Sequence, residues 1–316
     1  MSFTESTYES AVIQLFEGMG YTHIYAPDMG REDFSNPLMD GVLRDALVRI
    51  NRGLPLEAIG EALSKIRNFD GGSLVEKNRI FTGYLQGGVE VNYTVGGEPR
   101  AALVRLLDFE KPENNDFAVV NQYTYIENGN NRRPDIILFV NGLPLVLMEL
   151  KSPAKEDAGA EDAYNQLRNY MQDIPSLFIY NAVCVISDLS TNRAGTITSG
   201  FDRFMEWKTK DGRYENTAYA QFDTFYEGMF PKARLLDILK NFICFSGDAQ
   251  KPIKILAGYH QYFAVRKAVE KAMIATETDG KGGVFWHTQG SGKSLSMVFY
   301  AHLLQEVLHS PTIVVM

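Results

Sequence analysis

The period of the apolar positions changes several times along the chain, and each change marks an element. Between Tyr8 and Met19 the apolar residues fall at Ala11, Val12, Leu15, Phe16 and Met19, the spacing of one helix face, and Gly20 follows as a stop. A second helical pattern covers about Leu43 to Ile66, with a break near Gly53. From Ile80 to about Ile126 the chain is β-prone, and glycine turns at Gly87, Gly88, Gly96 and Gly97 predict a strand-rich stretch. Residues Asp135 to Lys151, DIILFVNGLPLVLMELK, hold two apolar runs joined by Asn141-Gly142, which predicts a hairpin buried on both faces. Further on, the pattern predicts a helix from about Asp162 to Gln172, a strand from Ala182 to Ile186 and a polar loop from Lys208 to Asn216. After Lys251 come a helix, a glycine-rich turn, a strand, a phosphate loop and a helix from Ser294 through about Leu308. Helices followed by strands indicate an α/β or α+β fold, with a domain boundary near Gly247 that separates 1–247 from 248–316.

Composition narrows this picture only slightly. With 316 residues, 45% hydrophobic and 22% charged, the chain is of ordinary globular composition and long enough for two domains. The N-terminus lacks a basic stretch followed by an apolar one, and the most apolar run, Ile136 to Met148, is interrupted by Asn141, Gly142 and Pro144. Neither export nor a membrane span is expected. Two cysteines, Cys184 and Cys244, support no disulfide framework and no cysteine zinc site, and suit a reducing cytoplasm. The net charge of -8 leaves nucleic acid open as a partner, because phosphate contacts depend on local lysine and arginine rather than on the total.

The hairpin carries the first candidate chemistry. Asp135 stands at the start of one strand, while Glu149 and Lys151, two apart on the other, share a face. Two carboxylates and an ammonium on adjacent strands suit Mg²⁺, whose remaining waters can attack a phosphodiester while the lysine stabilises the developing hydroxide. The same residues could instead be an edge-strand charge pair and a strand cap, although charges closing an apolar run favour the catalytic alternative. Register tests the idea. A regular two-residue Asn-Gly loop would pair Asp135 with Met148 and put Asp135 and Glu149 on opposite faces. Convergence therefore requires an odd-length loop such as Asn141-Gly142-Leu143 with a glycine bulge, or a bulge near Pro144. Gln166 and Tyr170 are four apart on the following helix and share a face, fit either for a contact to the sheet edge or DNA or for ordinary packing. Arg132 and Arg133 are equally compatible with phosphate binding and with a solvated loop.

The second candidate lies near the other end of the chain. Gly290-Ser291-Gly292-Lys293-Ser294, after a predicted strand and before a predicted helix, is a phosphate cradle. Its backbone N–H groups would face phosphates, Lys293 would reach the β and γ phosphates of ATP, and Ser294 would hold Mg²⁺. The strict pattern asks for glycine at 287, where this chain has His287. Gln261, at the start of the preceding helix, could recognise an adenine edge or simply cap the helix. No acidic strand follows the apolar run Thr312 to Met316, so the motor lobe is expected to be truncated and the chain alone not to hydrolyse ATP.

Longer strings carry a resemblance. LLDFEKPENNDFAVVNQYTY from Leu106, NRRPDIILFVNGLPLVLMELKSP from Asn131, RFMEWKT from Arg203, AGYHQYFAVRKAV from Ala257 and FWHTQGSGKSLSM from Phe285 resemble the motor-and-nuclease (R, or HsdR) subunit of type I restriction enzymes nearly end to end. The resemblance implies a PD-(D/E)xK endonuclease domain with its catalytic core at about 80–190, followed by the start of a RecA-like, superfamily-2 helicase-like motor lobe. In it Asp135, Glu149 and Lys151 match the acidic and lysine positions, Gln166 and Tyr170 the QxxxY helix, and Gln261 the adenine-recognising glutamine. The looser first motor motif of that superfamily accommodates His287, and Glu9 is a candidate for an acidic residue that assists the metal from the first helix. The implied activity is ATP-dependent cleavage of double-stranded DNA at a distance, after translocation, in complex with methyltransferase (M) and specificity (S) subunits. A free-standing repair-type helicase-nuclease and a non-enzymatic docking module are the alternatives.

Overall fold

A computed structural model describes residues 5–151, 159–188, 190–213, 222–247, 251–308 and 311–314. The chain opens with α1 (Glu5–Gly18) and a short strand β1 (Thr22–Tyr25), then α2 (Asp40–Ile50), α3 (Leu56–Arg67) and α4 (Leu74–Gly87). Strands follow: β2 (Val89–Val95), β3 (Glu98–Val104), β4 (Phe117–Asn121), β5 (Tyr125–Glu127), β6 (Asn130–Arg132), β7 (Ile136–Val140) and β8 (Leu143–Leu150). Helices α5 (Ala160–Asp173) and α6 (Pro175–Phe178) lead to β9 (Val183–Ser187) and β10 (Asn192–Gly195). Helices α7 (Phe222–Met229) and α8 (Lys232–Asn241), the hairpin β11 (Ile243–Ser246) and β12 (Ile253–Leu256), and helices α9 (Tyr259–Thr276) and α10 (Lys293–Val307) complete the described strands and α-helices.

The opening helix, the pair of helices broken around Gly53, the hairpin, the helix after it and the strand at 183–187 lie where the pattern predicts them. The β-prone stretch does not begin at Ile80, because residues up to Gly87 belong to α4. Ser73 and Glu76 form a reciprocal capping box, and the buried residues Asn78, Phe81, Thr82 and Leu85 recur at helical spacing, so nucleation and one buried face override the β propensity of single residues. The polar stretch from Lys208 to Asp211 is irregular as expected; residues 214–216 of that predicted loop lie outside the described residues.

A mixed six-stranded sheet in the order β1-β4-β7-β8-β9-β10 forms the centre. All residues of β7 and β8 are buried, as a central strand pair covered on both faces requires. One face packs on α1, α2, α3, α4, α7 and α8 through residues such as Val12, Phe16, Leu47, Phe81, Phe225 and Leu239. The other face packs on α5, with Ala163, Leu167 and Tyr170 against Ile137, Phe139 and Leu147. Strand β8 runs parallel to β9, with α5 in the crossover between them, so α5 lies across the end of the sheet that carries Glu149.

The β11–β12 hairpin pairs across position 247, joining the two sides of the boundary expected there. It is pinned by Lys254, a fully buried lysine whose ammonium donates to Asn78 Oδ1 on α4 at 2.9 Å and to the Asn181 carbonyl ahead of β9 at 2.7 Å. Burial lowers its pKa to about 7. Residues 281–288, where a strand is expected ahead of the phosphate loop, form none. Val284 and Trp286 are 95% and 78% exposed, and no described strand pairs with this segment. An apolar run becomes a strand only by sharing a ladder with a neighbour.

Candidate active site

The β7–β8 turn sets the site. Asn141 and Gly142 both have positive φ, 52° and 77°, the signature of a two-residue type I′ turn, and Val140 pairs with Leu143. The Asn141 side chain ties the turn down, accepting from Asp116 N at 2.8 Å and donating to the Leu106 carbonyl at 3.0 Å. The odd-length loop is therefore not formed. The alternative device is present instead: Phe139 pairs with Pro144 but Leu138 pairs with Val146, so Leu145 is an extra residue in β8. Leu145 and Val146 both join the core on the α1 side, and the main-chain oxygen of Leu145 accepts from Ala182 N at 2.7 Å. Beyond this bulge Ile136 pairs with Met148, and continuing the ladder by one residue sets Asp135 opposite Glu149 on the α5 side.

The predicted groups meet there. Asp135 Oδ2 accepts from Leu150 N at 2.7 Å, between Glu149 and Lys151. Glu149 is fully buried, and Lys151, its side chain 14% exposed, donates to Glu149 Oε1 at 2.8 Å. A buried carboxylate requires such a charged partner. Lys151 Nζ also donates to Gln166 Oε1 at 2.6 Å, and Gln166 Nε2 donates to Tyr170 Oη at 2.6 Å. The phenol thus fixes which way the amide faces, leaving its oxygen for the ammonium. Burial, then the charges of Glu149 and Asp135, push the Tyr170 pKa well above its ordinary value, so the phenol stays neutral. Two facing carboxylates suit a hard cation that keeps several waters. Among the described residues no group of three or more His, Cys, Asp or Glu forms a protein-only metal cage.

Glu9 is held next to this pair from α1. Its carboxylate accepts from Asn121 Nδ2 at 2.6 Å and Gln122 Nε2 at 2.9 Å, at the end of β4, where Gln122 has φ 58° and its N–H points to the Asp135 carbonyl at 3.4 Å. Glu9 thereby steadies the chain beside Asp135. Arg132 is engaged as well, in an ion pair with Asp173 at the end of α5, 2.7 Å apart. Ser187 and Asp188, at the end of β9, also touch the framework of the site; nothing in their spacing singles them out.

The phosphate loop has a different character. Gly290 and Gly292 take φ of 82° and 78°, Gly292 caps α10, and Lys293 is its first residue, one position earlier than predicted. Lys293 Nζ donates to the carbonyls of His287 at 3.0 Å and Thr288 at 3.1 Å, and Ser291 Oγ to the Thr288 carbonyl at 2.7 Å, while Ser294 is exposed. Gln261 both caps and reaches out: its oxygen accepts from Gly258 N at 2.9 Å and its amide donates to the Gly292 carbonyl at 3.1 Å. Glycine is favoured at 292 by its φ, and a Cβ there, 2.6 Å from that amide, would push the end of the Gln261 side chain aside. Beside the loop opens a cleft of about 660 Å³ lined by Lys208, Tyr259, His260, Phe263, Trp286 and His287, most of which the motif alone does not indicate. His287 packs on Phe285, and burial, then His260 and Lys293, lowers its pKa. No described helix is long and apolar enough to cross a membrane.

Comparisons with known proteins give the family of the chain. Residues 2–203 match the family model of the type I restriction enzyme R protein N terminus, and residues 260–316 match that of the SWI2/SNF2 ATPase. The chain is 40% identical to the type I restriction enzyme HindI endonuclease subunit of Haemophilus influenzae, over 98% of this chain and 31% of that protein. It is 32% identical to the putative type I restriction enzyme MjaIXP endonuclease subunit of Methanocaldococcus jannaschii, over 97% of this chain and 32% of that protein. A Staphylococcus aureus relative, the SauCOLORF180P endonuclease subunit, is 28% identical over 61% of this chain and 20% of its own length. The chain thus spans about a third of the length of the first two relatives. It belongs to the family of type I restriction enzyme R proteins.

Proposed function

We propose that the chain is the nuclease part, with the start of the motor, of a cytoplasmic type I restriction subunit that cleaves double-stranded DNA using Mg²⁺, alongside M and S subunits. Residues 1–247 form the PD-(D/E)xK endonuclease domain and 248–316 begin a RecA-like lobe that binds ATP. The observation that carries this reading is the bulge at Leu145, which turns Asp135 toward Glu149 where a regular two-residue hairpin would part them.

In this reading Asp135 and Glu149 hold Mg²⁺, which supplies an activated water and charge stabilisation at the phosphate. Lys151 offsets the buried charge of Glu149 and holds its ammonium where hydroxide develops. Gln166, fixed by the neutral Tyr170, stops Lys151 from folding away. On the motor side, Gly290, Ser291 and Gly292 wrap the phosphates, Lys293 exchanges its loop carbonyls for phosphate oxygens, and Ser294 meets the nucleotide's metal. The aromatic-lined cleft beside Gln261 has room for a base.

The test is Glu149→Ala in the full-length subunit assembled with its partners. Cleavage of unmethylated DNA is expected to fall below detection, with ATP hydrolysis within about twofold of the parent, since the two sites are separate constellations. Cleavage with unchanged metal dependence would overturn the reading in favour of a docking module. Full activity without M and S subunits would favour a repair-type enzyme.

A further inference from the structure

At the end of β9, two consecutive residues grip the site from opposite sides. The Ser187 carbonyl accepts from Lys151 N at 2.8 Å, and Ser187 pairs with Leu150, so β9 sets the main-chain position of the lysine. The Ser187 hydroxyl enters a buried cluster with Tyr8 Oη from α1 and Asn192 Oδ1 from β10. Alternation along the chain sends the next side chain, Asp188, the other way, toward α5. Asp188 Oδ2 accepts from Ala160 N, the first residue of α5, at 3.0 Å. Its Oδ1 accepts from Ser190 N at 3.1 Å, Ser190 Oγ at 2.8 Å and Thr191 N at 2.7 Å, which fixes the carboxylate before it meets the helix. Within the helix Asp162 Oδ2 accepts from Gly159 N at 3.0 Å, but Gly159 has no side chain to cap the first turn, so Asp188 supplies the acceptor for Ala160 N. Because that acceptor follows β9 and is not the helix's own N-cap residue, it does more than cap. What it adds is a fixed attachment between the start of α5 and the strand that aligns Lys151.

We propose that Asp188 is a positioning residue for the nuclease site, tying the first turn of α5 to β9 and so fixing Gln166 against Lys151; this rests on the nuclease reading above. Lys151 is located by the main chain of Ser187, and the start of the helix that carries Gln166 by the side chain of Asp188, so one dipeptide acts on both sides of their contact, in addition to the apolar packing of α5 on the sheet. A shift of about 1 Å in such a constellation is enough for a rate loss of about a hundredfold.

The experiment measures DNA cleavage, ATP hydrolysis and amide hydrogen exchange in the first turn of α5, in the assembled full-length complex. For Asp188→Ala, kcat for cleavage is expected to fall about ten- to a hundredfold, with KM for DNA and ATP hydrolysis within about twofold and faster exchange at residues 160–164. Asp188→Asn has one acceptor oxygen, enough for Ala160 N or for the Ser190 and Thr191 N–H groups but not both, and is expected to recover only part of the rate. Asp188→Glu keeps charge and acceptor but moves the attachment by a methylene, and serves where Asp188→Ala fails to assemble: a lowered kcat supports positioning, whereas full activity shows mere capping and overturns it. In the Gln166→Ala background, Asp188→Ala should add no further loss; independent, multiplicative losses overturn the proposal. Glu149→Ala separates the two claims. Cleavage surviving in Glu149→Ala refutes the nuclease reading itself, while an inactive Glu149→Ala beside a fully active Asp188→Ala refutes only the positioning.

Discussion

The two candidate sites are built on opposite principles. Asp135 and Glu149 sit on a central strand pair whose neighbours on both sides are present, so every residue of β7 and β8 is buried and each functional side chain has its direction set by a ladder. The phosphate loop follows a segment that pairs with no described strand, and its lysine rests on its own loop carbonyls. In the first region geometry precedes the ligand. In the second, a phosphate would have to displace internal hydrogen bonds before Lys293 could reach it.

The largest expected effect separates motor from cutter. Lys293→Ala in the full-length complex should abolish ATP hydrolysis and, with it, cleavage that depends on translocation, whereas the Glu149 variant loses cleavage alone. A steady-state ATPase assay beside a plasmid-cutting assay reads both. ATP hydrolysis persisting in Lys293→Ala would show that the loop is not the nucleotide site and erase the contrast between the regions.

Next in size is the bulge. The register it sets would be lost on deleting Leu147 just beyond it, which pairs Glu149 with Ile136 and turns it to the face opposite Asp135, whereas deleting Leu145 itself would leave the two carboxylates facing. Cleavage is expected to fall at least about a hundredfold, with ATP hydrolysis by the full-length complex less affected. Gly142→Ala is the milder companion. At φ 77° a new Cβ would lie 2.7 Å from the Met39 carbonyl, so thermal denaturation should show a loss of about 1–3 kcal/mol.

Much of the region around the β7–β8 hairpin is legible in the sequence because its period and its candidate chemistry coincide. The DIILFVNGLPLVLMELK string states strand, turn and strand, and the requirement that Asp135 meet Glu149 forces an irregularity that Leu145 supplies. What is not legible is set by distant partners. The Asp188 carboxylate reaches α5 through folding of a segment 28 residues away, and Lys254 is buried by Asn78, 176 residues earlier. A lysine in the string PIKIL reads as an ordinary exposed residue. The helix of Leu74–Gly87 is missed because its capping box outweighs its β-prone residues, and a strand is expected ahead of the phosphate loop, where none forms, because periodicity cannot report whether a neighbour is present.

Lys254 offers a test at the junction of the two regions. Its folded pKa, about 7, lies below the ordinary 10.5, so between those values the unfolded chain binds more protons than the folded one. Its contribution to stability is complete above pH 10.5 and is lost as pH falls toward 7. Cys184, the thiol coupled to it, is pushed up to about 12 by burial and stays neutral in this window. The stability of the parent minus that of Lys254→Met should therefore rise with pH from 7 to 10, by at most about 1.4 kcal/mol per unit. A flat difference in denaturant titrations at pH 7, 8.5 and 10 would mean that the ammonium is already hydrated in the folded state.

The smallest expected effect lies on the unpaired side. Val284 is 95% exposed, so Val284→Ala in this chain removes no packed surface and should change stability by less than about 0.5 kcal/mol. A buried aliphatic truncation in β7 or β8 instead removes contacts on a fully covered face and is expected to cost about 2–5 kcal/mol. The contrast sharpens if Val284→Ala is measured again in the full-length subunit, where a strand neighbour would cover the side chain. A loss of about 1–2 kcal/mol in thermal unfolding of the motor there, against none in the shorter chain, would show that this segment takes up its strand only with a neighbour. Equal, negligible effects in both would mean that the approach to the phosphate loop stays open and that the loop, unlike the nuclease hairpin, works without a ladder to direct it.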